Sequence, residues 1–362
     1  MATPRIPVFD GHNDSLQLVH AEAPHRAEWF LDGGGSGHFD LPRAARGGFA
    51  GGLFALHVST PPGARGQGPK RHHDDGSWER PYARPLDPGH ARGETLAQLA
   101  TLLRLERDAG PRLTVVRDLD RLREAFAAPG VAIVLHLEGA EAIDPDLDLL
   151  EVLHAAGLRS LGLVWSRPNL FGSGVPFRFQ ASPDIGPGLT DLGRELVAAC
   201  NELGVLVDLA HLNLRGFFDV AEVTTAPLVV SHACAHAVSP STRNLTDAQL
   251  DAVAASDGVV GLSFDAADLR PDGRNVPETG IEAVTRQLDY IAERVGPEHV
   301  ALGSDFDGTV VPDAIGDVSG LPRIFAALRE RGWGEQDLAL LAHENWLRVI
   351  AATWAARRLP AT

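Results

Sequence analysis

The chain has 362 residues, 44% of them hydrophobic and 22% charged, which is ample apolar material for a large buried core. A formal net charge of −16 and a pI near 5.3 argue against nucleic acid or an anionic membrane surface as partner, since both require clustered Lys and Arg. The two cysteines, Cys200 and Cys234, cannot build a disulfide framework. With no signal peptide or membrane span visible, the expectation is a cytoplasmic protein.

Eight short apolar runs read as strands: residues 6–10, 52–58, 131–137, 160–165, 205–210, 228–231, 259–264 and 300–304. Helical patterns separate most of them, at 94–108, 146–156, 191–203, 246–255 and 278–295. Gly157, Gly204, Gly258 and Gly296 follow helices where a left-handed C-cap wants a residue without Cβ, and Thr190 and Thr246 suit N-caps. This alternation predicts an α/β protein built as one (β/α)8 TIM-barrel domain over residues 1–362. An open doubly wound sheet is the alternative, but no Gly-x-Gly-x-x-Gly follows the first strand. Two segments break the rhythm, 59–93 and 169–187, and read as long loops. The first carries His72-His73-Asp74-Asp75, which reads as a solvated run, and the second could wall the mouth of a site.

Carboxylates and histidines recur where the strand patterns end, the end at which barrels keep their active sites. His12 and Asp14 stand two apart, so one metal can take both; nitrogen with carboxylate oxygen suits Zn²⁺, with Mn²⁺ or Co²⁺ as substitutes. Glu138 closes the run Val131 to Leu137, and a carboxylate leaving such a run is costly unless paired or metal-bound. His211 and His232 end two consecutive strands. These five residues, with Glu138 shared, make two three-ligand sites with room for a bridging water or hydroxide. Many two-metal centres use a carboxylated lysine as the bridge. The only lysine here, Lys70, falls in the Gly/Pro/Arg-rich loop, which leaves that role to Glu138.

Asp305, in Gly303-Ser304-Asp305-Phe306-Asp307-Gly308, is a candidate proton carrier, with Asp307 on the same strand parity as its rival. His136 reads either as a group orienting Glu138 or as barrel packing, and His57 is similar. Cys200 reads as a buried apolar residue; Cys234, two past His232, is a conceivable soft ligand but would be unusual in an oxygen/nitrogen site.

Six stretches in order carry a family resemblance: Asp10-Gly11-His12-Asn13-Asp14, Glu138-Gly139, Leu206 through His211, Ser231-His232-Ala233-Cys234-Ala235, Arg243-Asn244 and Gly303 through Gly308. With them the chain resembles, over nearly its whole length, the membrane (renal) dipeptidase family of zinc metallopeptidases, peptidase family M19, and looks like a bacterial member. The resemblance implies a (β/α)8 barrel, usually a homodimer, with two Zn²⁺ per chain. It implies that His12, Asp14 and Glu138 hold one zinc and that Glu138, His211 and His232 hold the other. It further implies that Asp305 shuttles the proton and that Arg243 binds the dipeptide carboxylate. Bacterial relatives include dipeptidases that accept a C-terminal D-residue. One position departs: where the family pattern usually has a histidine near the substrate carbonyl, this chain has Trp165, which can donate one hydrogen bond but carries no proton or charge.

The expectation is therefore a binuclear zinc dipeptidase acting on free dipeptides, L-Xaa-D-Xaa among them. Its rivals are another amidohydrolase reaction, on N-acyl amino acids or lactones, and a non-catalytic metal-binding protein.

Overall fold

The computed structural model describes residues 6–22, 27–61 and 68–355. Strands β1 (Val8–Asn13), β2 (Phe49–His57), β3 (Val131–Glu138), β4 (Leu158–Gly162), β5 (Leu206–Asp208), β6 (Val229–Ala233), β7 (Val259–Leu262) and β8 (Val300–Leu302) pair in parallel in chain order. A parallel bridge from Asn13 to Phe306 links the two ends, giving a near-closed barrel of eight strands. The barrel expected from the alternation is the one that forms. A further strand, Leu113–Val115, pairs with β3 off the barrel path; its short β-branched run beyond Gly110-Pro111 was not among the predicted strands.

Every residue of β3 is buried, as a strand covered on both faces must be. One hydrophobic cluster joins Phe9, Leu53, Val134, Leu206, Val229, Val259 and Ala301 from seven of the barrel strands to Trp346 of helix Asn345–Ala355. Trp346 is fully buried and its indole N–H donates to Leu302 O at 2.9 Å. A Cβ on Gly11 would lie 2.2 Å from that ring, so the strand that presents His12 can pass over Trp346 only as glycine.

The helices Asp191–Leu203 and Asp247–Ala255 begin at Thr190 and Thr246, whose hydroxyls accept from Gly193 N and Gln249 N; Thr246 completes a capping box. Gly157, Gly204 and Gly296 do have positive φ, but after Ala255 the left-handed position is Asp257, not the expected Gly258.

The two long segments are not plain loops. The first ends earlier than expected, because helix Pro88–Ala109 starts at the Asp87 cap. Its short strands Arg71–His72 and Trp78–Glu79 join Arg178–Phe179 of the second segment in a three-stranded antiparallel sheet. Trp78 Nε1 donates to Gly273 O at 2.8 Å, so this small sheet is also tied to the chain beyond β7. His72 through Asp75 are exposed at its hairpin turn and join none of the metal-capable groups among the described residues.

Candidate metal centre

The strand ends converge on one buried cluster. His12 and Asp14 arrive from the end of β1, Glu138 from the last position of β3, and His232 from β6. His211 lies just past β5, which ends at Asp208, and takes a left-handed φ of 66° that swings its ring inward. His12 Nε2 stands 3.7 Å from Glu138 Oε1 and 3.8 Å from Asp14 Oδ1. On the other side of Glu138 Oε1 lie His211 Nε2 at 3.0 Å and His232 Nε2 at 3.6 Å. Among the described residues three sets of three ligand atoms are compact enough for a single ion: His12/Asp14/Glu138 and Glu138/His211/His232, the two expected sets, and also His12/His232/Asp305.

The surroundings fix how these side chains point. Ser166 Oγ lies 2.7 Å from His211 Nδ1, and Ser231 Oγ 2.8 Å from His232 Nδ1. With Nδ1 engaged, the Nε2 atoms of the two rings face each other at 3.1 Å. Two imidazole nitrogens so close need a shared proton or a shared cation. Buried Asp208 holds Ser231 twice, through its N–H at 2.7 Å and its hydroxyl at 2.5 Å. Asp10 does the same for Ser304, at 2.7 and 2.8 Å, and so ties β1 to the chain beyond β8. His57 Nδ1 stands 2.9 Å from Glu138 Oε2, which places it beside the carboxylate and not in plain packing. His136 lies 2.9 Å from Ser160 Oγ and 3.6 Å from Asp208, with its ring edge-on to that of His12 at 5.5 Å.

Electrostatics describe a cluster short of positive charge. Burial pushes Asp14 and Glu138 up to about 8 and Asp305 well above the carboxylate range; neighbouring carboxylates add to the rise at Asp14 and Asp305. Burial also holds His12, His211 and His232 well below the usual imidazole value, so their nitrogens are free to ligate. His12 Nε2 and Asp14 Oδ1 are buried with no hydrogen-bond partner. An N/O donor set with orphaned lone pairs and carboxylates that a cation would ionise fits a divalent metal.

Asp305 is not on a strand, because β8 stops at Leu302. It and Asp307 both adopt left-handed φ, 58° and 67°, so strand parity does not relate them. Asp305 Oδ1 reaches to 4.0 Å from His12 Nε2. Asp307 turns away, accepting from Ser15 Oγ at 2.7 Å and from His38 N at 2.5 Å. Holding two such aspartates in this region costs of order 1–3 kcal/mol each, a strain that tends to collect at functional sites.

A cavity of about 290 Å³ opens over the cluster, lined by Asp14, Glu138, His211, His232, Asp305, Arg243 and Trp165 among others. Arg243 is 6% exposed and donates to His232 O at 3.2 Å. Trp165 lies beyond β4, which ends at Gly162; its ring sits 5.2 Å from that of His57 and 5.4 Å from that of Phe177. Cys234 is buried and donates to Ser263 O, outside the ligand groups. Lys70, read from the sequence only as part of a Gly/Pro/Arg-rich loop, lines this cavity with Trp78 and Arg80, because the small sheet folds over the barrel mouth.

The family model described as membrane dipeptidase (peptidase family M19) matches residues 2–361. The chain belongs to that family. It is accordingly a metal-dependent dipeptidase. A metallopeptidase from Rhodobacter sphaeroides, solved with a phosphinate mimic of the dipeptide L-Ala-D-Ala, is 47% identical with a TM-score of 0.91, over 97% of this chain and 100% of that one. A protein of Klebsiella pneumoniae encoded in the pqqA 5′ region and of uncharacterised function is 44% identical over 71% of this chain and 95% of its own length. The dipeptidase tcpJ of Claviceps purpurea is 27% identical over 94% of this chain and 76% of its own length.

The sequence reading missed Ser166, Ser231, Asp208 and Asp10. Asp10 and Asp208 did leave a signal, an acid inside an apolar strand run that needs a buried partner. Nothing local marks Ser166, whose importance comes only from lying against His211.

Proposed function

We propose that this enzyme hydrolyses free dipeptides, L-Xaa-D-Xaa pairs among them, with two zinc ions per chain. His12, Asp14 and Glu138 would hold one and Glu138, His211 and His232 the other. The observation that carries this is Glu138, whose Oε1 lies within reach of histidines on both sides, inside a cavity that also holds a buried arginine. When bound, the metals would acidify a water and polarise the scissile carbonyl.

The chain's own residues supply the rest. Ser166 and Ser231 hold the His211 and His232 rings so that Nε2 faces inward. Asp305, at the cluster edge and free of the hydrogen bonds that occupy Asp307, would take the proton of the attacking water on Oδ1 and deliver it to the departing amine. The Arg243 guanidinium forms a fork that matches the substrate's C-terminal carboxylate. Because that contact fixes the carboxylate and not the side chain, a D-residue can turn its side chain toward the open mouth. Trp165 walls the pocket where a histidine is usual. The relative solved with an L-Ala-D-Ala mimic supports this choice of substrate. By family resemblance the enzyme would work as a homodimer built from single-domain chains; no described helix is long and apolar enough to cross a membrane.

The deciding experiment compares L-Ala-L-Ala, L-Ala-D-Ala and L-Ala-D-Ala amide as substrates of the wild type and Arg243→Met. The free dipeptides should be cut far faster than the amide, and Arg243→Met should erase the difference. Equal kcat/KM for acid and amide in the wild type would remove Arg243 from recognition and favour a general amidohydrolase.

A further inference from the structure

Three cations line the cavity over the cluster: Arg243, and Lys70 and Arg80 from the segment that carries two strands of the small sheet. Among the described residues none of the three is ion-paired with a carboxylate, whereas Arg167, Arg194, Arg294 and Arg329 all are. Lys70 Nζ lies 3.5 Å from the centroid of the Trp78 ring, and the Arg80 guanidinium 5.9 Å from that of Phe177. Ring faces steady a cation without using its N–H donors, so these donors stay available to a ligand. Lys70 is half-buried, and burial pulls its ammonium down from the usual value. A partly desolvated cation gains more from an anion than one in bulk water does.

Beyond the metal cluster two further aspartates, Asp265 and Asp268, line the cavity and act on Lys70, but their oxygens already accept hydrogen bonds or are buried. Asp265 caps helix Ala266–Leu269, accepting from Ala267 N at 2.7 Å, and its second oxygen accepts from the Thr309 hydroxyl. Asp268 is 8% exposed, and burial pushes it up to about 7, so it is only partly ionised at neutral pH. Asp268 feels the charges of both Arg243 and Lys70, which places these two cations around one region of the cavity. Nearby, Asn275 Oδ1 is buried with no hydrogen-bond partner.

We propose that Lys70 and Arg80 form a second anion subsite, which selects dipeptides whose C-terminal residue carries a side-chain carboxylate of the aspartyl or glutamyl type. The assignment rests on Arg243 holding the α-carboxylate, since the group next to it is then the C-terminal side chain. The chain's single lysine is on this reading a specificity residue delivered by the roof sheet.

L-Ala-D-Glu and L-Ala-D-Gln have nearly the same shape and differ in one charge, so their kcat/KM ratio reads the subsite directly. The wild type should favour the glutamate by about tenfold or more, as a charge-assisted contact in a partly desolvated site implies. Lys70→Met and Arg80→Met should each pull the ratio toward one, and Lys70→Arg should retain most of it. Calorimetric titration with the free products D-Glu and D-Gln gives a second reading that needs no turnover; D-Glu should bind the tighter, by a margin that Lys70→Met removes. Tighter D-Glu binding that depends on Lys70, in a protein that cuts no dipeptide, would support the subsite while overturning the dipeptidase assignment. Brisk cleavage of both dipeptides at a ratio near one, or a preference indifferent to both substitutions, would overturn the subsite alone.

Discussion

The floor and the roof of the cavity are built by different physics. The floor is made of strand ends: His12, Glu138 and His232 sit on the barrel strands or at their last positions, held by Asp208–Ser231 and Asp10–Ser304 hydrogen bonds that are wholly buried. The roof is three two-residue strands from two loops, stitched through Trp78 to Gly273 and through the Trp78–Phe179 stack. A buried hydrogen-bonded floor fixes chemistry to a fraction of an ångström, whereas a small loop-borne sheet can change its side chains without disturbing it. Reaction type should therefore belong to the floor and substrate choice to the roof.

The largest effect should come from the residue common to both sets of the floor. On the proposed two-metal site Glu138→Gln would remove the shared charge, and metal content by elemental analysis should fall from near two per chain to one or fewer, with activity down by about four orders of magnitude or more. Two ions retained in Glu138→Gln would show that Glu138 is not the bridge. Next in size is Asp305→Asn, which should keep its metals and lose roughly two to four orders of magnitude in kcat, the range for a general acid–base group. If Asp307→Asn were the damaging change instead, the proton carrier would have to be reassigned.

The floor was largely legible in the sequence, and the roof was not. His12, Asp14, Glu138, His211 and His232 each follow an apolar run, and the eightfold alternation says that the ends of such runs meet. Arg243 came from family resemblance, because no local pattern points a loop residue inward; Asp305 was legible beside its rival Asp307, and only the resemblance chose between them. Lys70 and Arg80 gave no signal at all: their segment is rich in Gly, Pro and Arg, and only its pairing with Arg178–Phe179, about a hundred residues on, turns it over the mouth. Arg167 was silent for the same reason. It is fully buried, binds Glu141 at 2.7 Å and Val58 O at 2.6 Å, and so joins the loops after β2, β3 and β4.

A smaller effect separates the floor with and without metal. In the bare cluster Asp14 and Glu138 stay protonated up to about 8, while in the unfolded chain they ionise near pH 4. Between those values the folded state binds more protons than the unfolded one, so stability falls as pH rises, by up to roughly 1.4 kcal/mol per pH unit for each such group. Above pH 6.5 the histidines of the unfolded chain are mostly neutral and add little to this slope. The Tm of EDTA-treated protein should thus drop by a few degrees between pH 6.5 and 8.5, and zinc should flatten the profile by holding both carboxylates ionised. A metal-free Tm that stays level or rises over that range would contradict the electrostatic account of the floor.

The smallest and most discriminating test falls at the seam. Trp165 touches both regions: its ring lies 5.2 Å from His57 and 5.8 Å from His211 in the floor, 5.4 Å from Phe177 beside the roof, and 4.7 Å from the Arg167 guanidinium. No hydrogen bond ties its indole to either side among the described residues, so it acts by shape. Trp165→His shrinks the wall and adds a proton-bearing group to it. If floor and roof are separable, metal content should stay at the wild-type value while relative kcat/KM among a panel of L,L and L,D dipeptides moves by several-fold to tenfold, the size expected when a pocket wall changes shape. Trp165→Phe, which keeps an apolar wall, should move it less. Loss of metal in Trp165→His would mean that the wall helps to hold His211 in place. An unchanged substrate profile in both variants would mean that Trp165 only fills the barrel rim, and selection would then rest with Arg243, Lys70 and Arg80.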